Sequence, residues 1–343
     1  MRRYDFALIG FGNVGRALAL HALERRAQLR DAFAIDLALT AIVDRAASVA
    51  DPLELQVAEL VRFKEQYGAL AAWPGAGGAV RPDELRARGI EGVVIALPTD
   101  LERGEPGLSL ARAALDCGLD VVLADKGPAL HALPELEESA ARANATLGTS
   151  ATTGCALPRL AAVRDWFAGA ALDSIRGVLN GTSNRILTQL REPGADYAAA
   201  LAQAQQDGIA EPDPRFDVEG WDTAVKLVIL ARGLLDPSVT LAQVERTGIT
   251  DVAPELLEAA RTGPQRLRLV GHARREQGRV RLTVAPELVA PGDPLHAADG
   301  AEKAITFTSG DLGPLTVLGG ASSRRGTASA LLRDLLAAAR ARR

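Results

Sequence analysis

The sequence predicts an α/β fold in which a doubly wound parallel sheet is followed by a second, α+β domain. Two observations support this prediction. Short apolar runs alternate with helical segments up to about residue 150, and beyond it the strands alternate in period 2. The 343 residues are enough for two domains with a large core. We expect a first domain at residues 1–150, completed by a C-terminal helix at about 320–343, and a second domain at 151–319.

The first domain is predicted from four brief apolar runs, each followed by a polar loop. The predicted strands are residues 4–9, 36–43, 92–97 and 121–124. One predicted helix follows the first loop and ends at about residue 26, and three others cover residues 52–66, 107–117 and 132–143. Residues 70–78 are predicted to form a surface loop. Strands that alternate with helices favour parallel pairing.

The second domain is predicted from a different pattern, in which helices come first and alternating strands follow. The predicted helices are residues 156–168, 183–192, 196–207, 217–233 and 253–261, and a final amphipathic helix covers about 326–341. The predicted strands are residues 172–179, 266–273, 279–285, 302–308 and 313–318.

A glycine-rich loop joins the first strand to the first helix. Its residues are Gly10, Phe11, Gly12, Asn13, Val14 and Gly15. Glycines at this spacing permit a tight turn and bring the backbone close to a pyrophosphate at the helix N-terminus, which indicates a Rossmann-type site for NAD or NADP. Asp44 ends the second strand and would accept hydrogen bonds from the ribose hydroxyls, whereas Arg45 could meet a 2′-phosphate.

Further polar residues follow the later strands of this predicted sheet. Pro98 and Thr99 follow the third strand, and Lys126 stands at the end of the fourth. Ligands bind at the carboxyl ends of strands in such sheets, so these residues are candidate cofactor contacts. An ordinary solvated loop lysine is the alternative for Lys126.

The segment from residue 208 to 226 places five acidic residues and a lysine at the start of an apolar helix. Apolar residues cover nearly the whole circumference of that helix, which is typical of an interior helix. Lys226 lies inside it with Asp222 four residues earlier and Glu219 seven, so we expect all three on one face. A surface salt bridge is the simpler alternative, but a buried ammonium needs a partner, which favours a site for proton transfer or for a small zwitterion.

Residues 180–184, Asn-Gly-Thr-Ser-Asn, lie at a strand-to-helix junction. Helix capping alone could explain this series. Its chemistry is therefore open at this point.

The bulk properties exclude several classes of function. The formal net charge of -4 gives no support for nucleic-acid or membrane binding. The two cysteines imply no disulfide framework and fit a cytoplasmic location, and no apolar stretch reaches membrane-spanning length. The histidines and cysteines lack metal-ligand spacing, so we expect no catalytic metal.

Taken together, these motifs resemble those of homoserine dehydrogenases, in the shorter form without a C-terminal regulatory domain. The resemblance covers nearly the whole chain. It is carried by residues 10–15, 98–99, 104–109, 125–128, 180–184, 211–226 and 327–330. Residues 180–184 and 211–226 are highly specific, and the others are supportive.

The resemblance implies NAD(P)-dependent interconversion of L-homoserine and L-aspartate 4-semialdehyde, in threonine and methionine biosynthesis. It makes Lys226 and Lys126 the candidate proton-transfer groups at the reacting oxygen, since an alkoxide formed from an aldehyde needs a proton donor. The residues implied for the substrate are Glu211, Asp217, Asp222, Gly181 and Thr182.

The resemblance also implies a monovalent cation, Na or K, held by backbone carbonyls. The corresponding residues are Ser150, Thr153, Cys155 and Leu157. The chain departs from the family pattern at several positions: Asp125 replaces an Asn, Ile209 an aromatic residue, Arg185 a Tyr and Ser150 a Glu.

Those departures leave two alternatives open. One is a divergent enzyme for another small oxo or aldehyde acid, and the other is a non-catalytic NAD(P)-binding sensor. Retention of both lysines and the acidic residues argues against the sensor.

The period-2 strands between about 264 and 318 would have exposed edges, so we also expect a homodimer that acts on a small amino-acid substrate.

Overall fold

The computed structural model describes residues 1–45, 47–53, 55–155, 157–192, 194–320 and 323–342. Ala156, in the predicted cation loop, and Ala321, Ser322 and Arg343, in the predicted C-terminal segment, lie outside these residues. The chain divides into one unit made of Met1–Thr152 with Thr327–Arg343 and another made of Thr153–Gly326.

The strands of the first unit are β1 (Arg2–Ile9), β2 (Ile35–Asp44), β3 (Ala47–Ala50), β4 (Gly77–Gly78), β5 (Gly92–Ile95), β6 (Asp120–Leu123) and β7 (Leu147–Gly148). Its first helices are α1 (Asn13–Phe33), α2 (Val57–Tyr67), α3 (Pro82–Ala87), α4 (Gly107–Asp116) and α5 (Lys126–Arg142). In the second unit the helices are α6 (Leu160–Trp166), α7 (Gly181–Gln189), α8 (Tyr197–Gln206), α9 (Arg215–Val218), α10 (Trp221–Leu234) and α11 (Pro254–Thr262). Its strands are β8 (Ser174–Val178), β9 (Val244–Arg246), β10 (Arg266–Glu276), β11 (Arg279–Val289), β12 (Lys303–Ser309) and β13 (Gly313–Gly319), and α12 (Arg324–Ala341) ends the chain.

The sheet of the first unit has the strand order β4-β3-β2-β1-β5-β6-β7. Pairing is parallel from β2 through β7, as the strand–helix alternation predicts. The strands β3 and β4 instead pair antiparallel at one edge, and β4 lies in the segment predicted as a loop. A strand made of two glycines gives no apolar signal, which explains that error.

The C-terminal helix α12 completes the core of the first unit. Leu331 and Leu335 are fully buried there. The Asp334 carboxylate accepts hydrogen bonds from the Ser150 backbone N–H at 2.8 Å and from the Ser150 hydroxyl at 2.7 Å. Full burial of one leucine side chain stabilises the folded state by about 1.5–3 kcal/mol. Helix α12 is therefore an integral part of this core.

The sheet of the second unit has the order β13-β12-β8-β10-β11-β9 and is antiparallel except where β9 runs parallel to β11. Helix α10 packs on this sheet beside Gly271 of β10, where a Cβ would lie 3.1 Å from the Thr223 side chain. The absence of a side chain at Gly271 therefore lets α10 approach closely.

The predicted helix at 217–233 is wrong in one respect, because the structure breaks it into α9 and α10. Gly220 lies between them with φ +84°, a conformation that only glycine adopts readily. Glu219 consequently does not share a helical face with Asp222 and Lys226, and its carboxylate instead accepts a hydrogen bond from the Trp221 indole at 3.2 Å.

Candidate active site

The glycine-rich loop has the geometry of an anion-binding turn. Gly10 has φ +100°, and a Cβ on it would overlap the backbone of Ala96, while a Cβ on Gly15 would overlap the Gly10 carbonyl. Gly12 is the N-cap of α1, brings no side chain to cap the helix, and has open space where its Cβ would be. The first N–H groups of α1 therefore have room to bind a pyrophosphate.

The other residues of this loop differ in what they can offer a cofactor. Phe11 is fully buried in the core, so only its backbone could contact a ligand. The Asn13 side chain is exposed and accepts a hydrogen bond from Arg16 at 3.0 Å. Val14 packs against the core.

Asp44 ends β2, as predicted, and has a partner that the sequence did not indicate. The Lys64 ammonium of α2 lies 2.5 Å from the Asp44 carboxylate, and both side chains are 10% exposed. Arg45 follows in the left-handed conformation, with φ +52°, and is exposed. No spacing rule links residues 44 and 64, because only the packing of α2 on the sheet brings them together.

The ends of β5 and β6 converge, as expected for adjacent parallel strands. The Thr99 hydroxyl accepts a hydrogen bond from the Lys126 backbone N–H at 3.2 Å. Lys126 is half-buried and begins a first helical stretch of α5 rather than lying in a loop, and the backbone leaves the helical conformation at Ala132, where the predicted helix begins. Pro98 is exposed in the same loop as Thr99.

Asp125 caps helix α5 and is fully buried. Its Oδ1 accepts a hydrogen bond from the Gly127 N–H at 2.9 Å, whereas its Oδ2 has no hydrogen-bond partner among the described residues. Burial raises the pKa of Asp125 to about 6, against the opposing effect of the Gly127 hydrogen bond. Immediately before Lys126, therefore, lies a carboxyl that changes charge near neutral pH.

In the second unit, Lys226 is 7% exposed and has strong acceptors. Its ammonium donates to the Leu179 carbonyl at 2.9 Å and forms a short ion pair with Asp222. Burial alone would lower the pKa of Lys226, but the Asp222 carboxylate outweighs it and the pKa is raised. The surface-salt-bridge alternative is wrong, because both side chains of the pair are buried.

Asn180 connects this pair to a second carboxylate. Its amide nitrogen donates to Asp217 at 2.6 Å and to Asp222 at 2.8 Å. Its amide oxygen accepts from the Ser183 N–H at 2.8 Å and so caps α7. Burial and the Asp222 charge raise the pKa of Asp217, while the Asn180 hydrogen bond acts to lower it.

The structure brings some of the remaining predicted substrate residues to this cluster. Gly181 and Thr182 are buried in the first turn of α7, directly after Asn180, and the Thr182 hydroxyl donates to the Ile209 carbonyl at 3.1 Å. Glu211 is exposed, and in the part of the chain that the structure describes its side chain makes no hydrogen bond or ion pair with Lys226 or its neighbours.

The predicted cation loop is divided between the two units. Ser150 belongs to the first, whereas Thr153, Cys155 and Leu157 belong to the second. Between Thr153 and Cys155, the Gly154 carbonyl accepts a hydrogen bond from Lys303 at 3.3 Å. No group of His, Cys, Asp and Glu side chains suited to a metal ion occurs among the described residues, and no described helix is long and apolar enough to cross a membrane.

Comparison with known proteins resolves the family of this arrangement. Residues 158–336 match the family model described as homoserine dehydrogenase. The NAD(+)-dependent homoserine dehydrogenase of Pseudomonas canavaninivorans is 36% identical over 340 residues, which are 98% of this chain and 96% of that protein. The chain belongs to the homoserine dehydrogenase family.

Solved structures of homoserine dehydrogenases have the same fold. A putative homoserine dehydrogenase from Archaeoglobus fulgidus superposes with a TM-score of 0.83 at 31% identity, over 97% of this chain and 98% of that one. A hyperthermophilic archaeal homoserine dehydrogenase in complex with NADPH gives 0.80 at 25% identity, over 98% and 97%. The predicted Rossmann-type α/β fold, the family and the class of NAD(P)-dependent oxidoreductase acting on a CH–OH group are confirmed.

Proposed function

We propose that this chain is an NAD(P)-dependent homoserine dehydrogenase that interconverts L-homoserine and L-aspartate 4-semialdehyde, in threonine and methionine biosynthesis. The buried ion pair of Lys226 and Asp222, joined through Asn180 to Asp217, is the observation that carries the proposal. A buried cation with an oriented carboxylate is suited to proton transfer.

The first unit binds the dinucleotide and the second holds the amino acid. A dinucleotide held at the glycine-rich loop of residues 10–15 would supply the hydride acceptor for C4 of homoserine or the hydride donor for the aldehyde. In aldehyde reduction Lys226 gives its proton to the developing alkoxide, and Lys126 is the second candidate for this role.

The substrate ammonium pairs with carboxylates of the second unit. Asp217 is the best placed of them, because it accepts a hydrogen bond from Asn180 and, unlike Asp222, forms no direct ion pair with Lys226. Glu211, Gly181 and Thr182 complete the proposed substrate contacts, with Glu211 contributing from an exposed loop. Fixing the ammonium in this way positions C4 without contacts to the reacting atoms.

Both NAD and NADP are accepted, with a modest preference for NAD. Asp44 repels a 2′-phosphate, but Lys64 and Arg45 supply positive charge beside it. The Pseudomonas relative is named as NAD(+)-dependent, whereas the archaeal structure holds NADPH. The enzyme acts in the cytoplasm as a homodimer.

The deciding experiment follows the absorbance of the reduced nicotinamide with homoserine and each cofactor. Turnover with homoserine, and little with other small hydroxy acids, is the expected result. Turnover with a different hydroxy acid only would point to the divergent enzyme. Cofactor binding without turnover on any of them would point to a sensor.

A further inference from the structure

The lysines of this chain occupy unusual places. The sequence has only four, Lys64, Lys126, Lys226 and Lys303, among 39 basic residues. Three of them lie at the candidate sites described above. The fourth, Lys303, is the first residue of β12 and is 2% exposed.

Lys303 is directed at a particular backbone segment. Its ammonium donates to the Gly154 carbonyl at 3.3 Å, and both residues belong to the second unit. Gly154 has φ +127° and Cys155 has φ +59°, so the backbone makes a tight, unusual turn at this contact. Gly154 stands between Thr153 and Cys155, whose carbonyls are predicted ligands of a monovalent cation.

The same turn is close to a second positive charge. Burial lowers the pKa of Lys226 and Asp222 raises it, and Cys155 of this turn adds a smaller upward effect, so this turn lies within electrostatic range of the Lys226 ammonium. A metal ion bound by the turn would therefore be near two buried lysines, Lys303 and the Lys226 that is paired with Asp222.

A monovalent metal ion fits poorly into this environment. Carbonyls of residues adjacent to Gly154 are within about 7 Å of the Lys303 ammonium, since successive Cα atoms are about 3.8 Å apart. At about 7 Å and an effective dielectric constant of about 20, the repulsion of one unit charge weakens cation binding on the order of fifty-fold.

We propose that the Lys303 ammonium takes the place of the monovalent cation at this turn, so that the protein needs neither Na nor K. The lysine neutralises the carbonyl dipoles of the turn and fixes its backbone beside Lys226. A tethered charge does this at every salt concentration, whereas a bound ion depends on its supply.

The first test uses the unmodified protein in chlorides of sodium, potassium and tetramethylammonium at equal ionic strength. Thermal unfolding and homoserine oxidation are both measured. We expect the melting temperature and kcat/KM to be the same in the three salts. A saturable rise of either with sodium or potassium, absent with tetramethylammonium, would overturn the proposal. The melting measurement does not require turnover, so it remains decisive if the proposed substrate is wrong.

The second test removes the charge with K303M. This variant should melt lower than the unmodified protein, and sodium or potassium should raise its melting temperature saturably because a site for them has been opened. K303R, which keeps a positive charge, and R274M, which changes an exposed residue on the same sheet, should respond equally to all three salts. If K303M folds and is as stable as the unmodified protein in all three salts, the proposal is contradicted. If K303M does not fold, the first test decides alone.

Discussion

Asp222 and Lys226 lie one turn apart on α10 and form an ion pair whose side chains are 7% and 8% exposed. Isolated pairs of this kind add little stability, because desolvation of both charges offsets their attraction. Breaking one partner is costly, since it leaves an uncompensated charge in the interior. The pair is therefore better explained by reactivity than by stability.

Replacing Lys226 by methionine should lower kcat by about 10²–10⁴-fold, the range typical for loss of a positioned proton-transfer group. Cofactor affinity, measured by fluorescence titration, should change by less than a few-fold, because the dinucleotide is assigned to the other unit. R232M, in the last turn of the same helix, is the control and should retain kcat. A normal kcat in the K226M variant would show that Lys226 has only a structural role.

The raised pKa of Lys226 also predicts how rate depends on pH. Homoserine oxidation needs the neutral amine, so its rate should rise as pH increases into the alkaline range. Aldehyde reduction needs the ammonium and should fall over the same range. Rate profiles measured in both directions check this, and parallel profiles would exclude Lys226 as the group that transfers the proton.

Replacing Asn180 should separate its role as the cap of α7 from its effect on the pKa of Asp217. N180S keeps a side chain that caps α7 but loses the two amide hydrogens given to Asp217 and Asp222. Without that donor the pKa of Asp217, already raised, should rise further. Its charged form then disappears at a higher pH on acidification, so kcat/KM for homoserine should begin to fall at a higher pH.

N180A removes the cap as well and should destabilise the protein by a further ~1 kcal/mol relative to N180S. Urea unfolding of both variants gives this difference. An unaltered pH profile in N180S would show that the Asn180 amide acts only as a helix cap.

The buried carboxyl of Asp125 should make the protein less stable as pH rises. Its folded-state pKa of about 6 exceeds the ordinary value of 3.8. The stability it contributes is therefore present below about pH 4 and is lost as pH rises to about 6. D125N keeps a capping side chain without the charge, so it should be more stable than the unmodified protein at pH 8 by about 1–3 kcal/mol and should gain little at pH 4.

Chemical denaturation at both values of pH measures this effect. D236N is a matched control of opposite sign, because hydrogen bonds from Ser238 lower the pKa of the partly exposed Asp236. An equal effect of D125N at the two values of pH would contradict the assigned burial of the carboxyl.

Cofactor choice should depend on the pair of Asp44 and Lys64. D44S removes the group that repels a 2′-phosphate and should move the ratio of kcat/KM toward NADP by roughly ten-fold, equivalent to about 1.4 kcal/mol. K64M leaves the Asp44 charge uncompensated and should move it toward NAD. R62M, an exposed neighbour on α2, should leave the ratio unchanged. Equal effects of D44S on both cofactors would mean that Asp44 does not face the ribose.

The edge strand β13 is the expected dimer contact. It pairs only with β12 within the described sheet, and Leu318 on it is 46% exposed. L318D should reduce the mass found by light scattering from that of a dimer to that of a monomer. L53D, at an exposed leucine of the first unit, should not. A monomeric unmodified protein at micromolar concentration would exclude the dimer.

The fold was predictable where the information is local. The strand, glycine turn and helix start around Gly10 follow from the apolar period and from glycine spacing, and the structure has them within a few residues of prediction, although α1 continues to Phe33 instead of ending near residue 26. The break at Gly220 was not predictable, because the apolar pattern continues through it and a left-handed glycine leaves no mark on the period. The helical stretch of α5 before the kink at Ala132 was missed because the capping role of Asp125 was not recognised.

The pairing of Asp222 with Lys226 was predictable from the sequence, but the hydrogen bonds and ion pairs around the candidate sites were not. The spacing of Asp222 and Lys226 gives one helical turn directly. The donors of Asn180, the pairing of Lys64 with Asp44 and the approach of Lys303 to Gly154 each join segments far apart in the chain, and only packing fixes them.

The contribution of α12 to the first unit has a consequence for synthesis of the chain. Residues 1–152 are synthesised before the second unit, whereas Leu331, Leu335 and the Asp334 partner of Ser150 are synthesised after it. During translation of the entire intervening unit, the nascent sheet lacks the helix that covers part of its core. Such unfinished apolar surface is what chaperones bind. A nascent chain released before residue 324 should therefore be held by a chaperone or aggregate, even though all the residues proposed here for catalysis are already present in it.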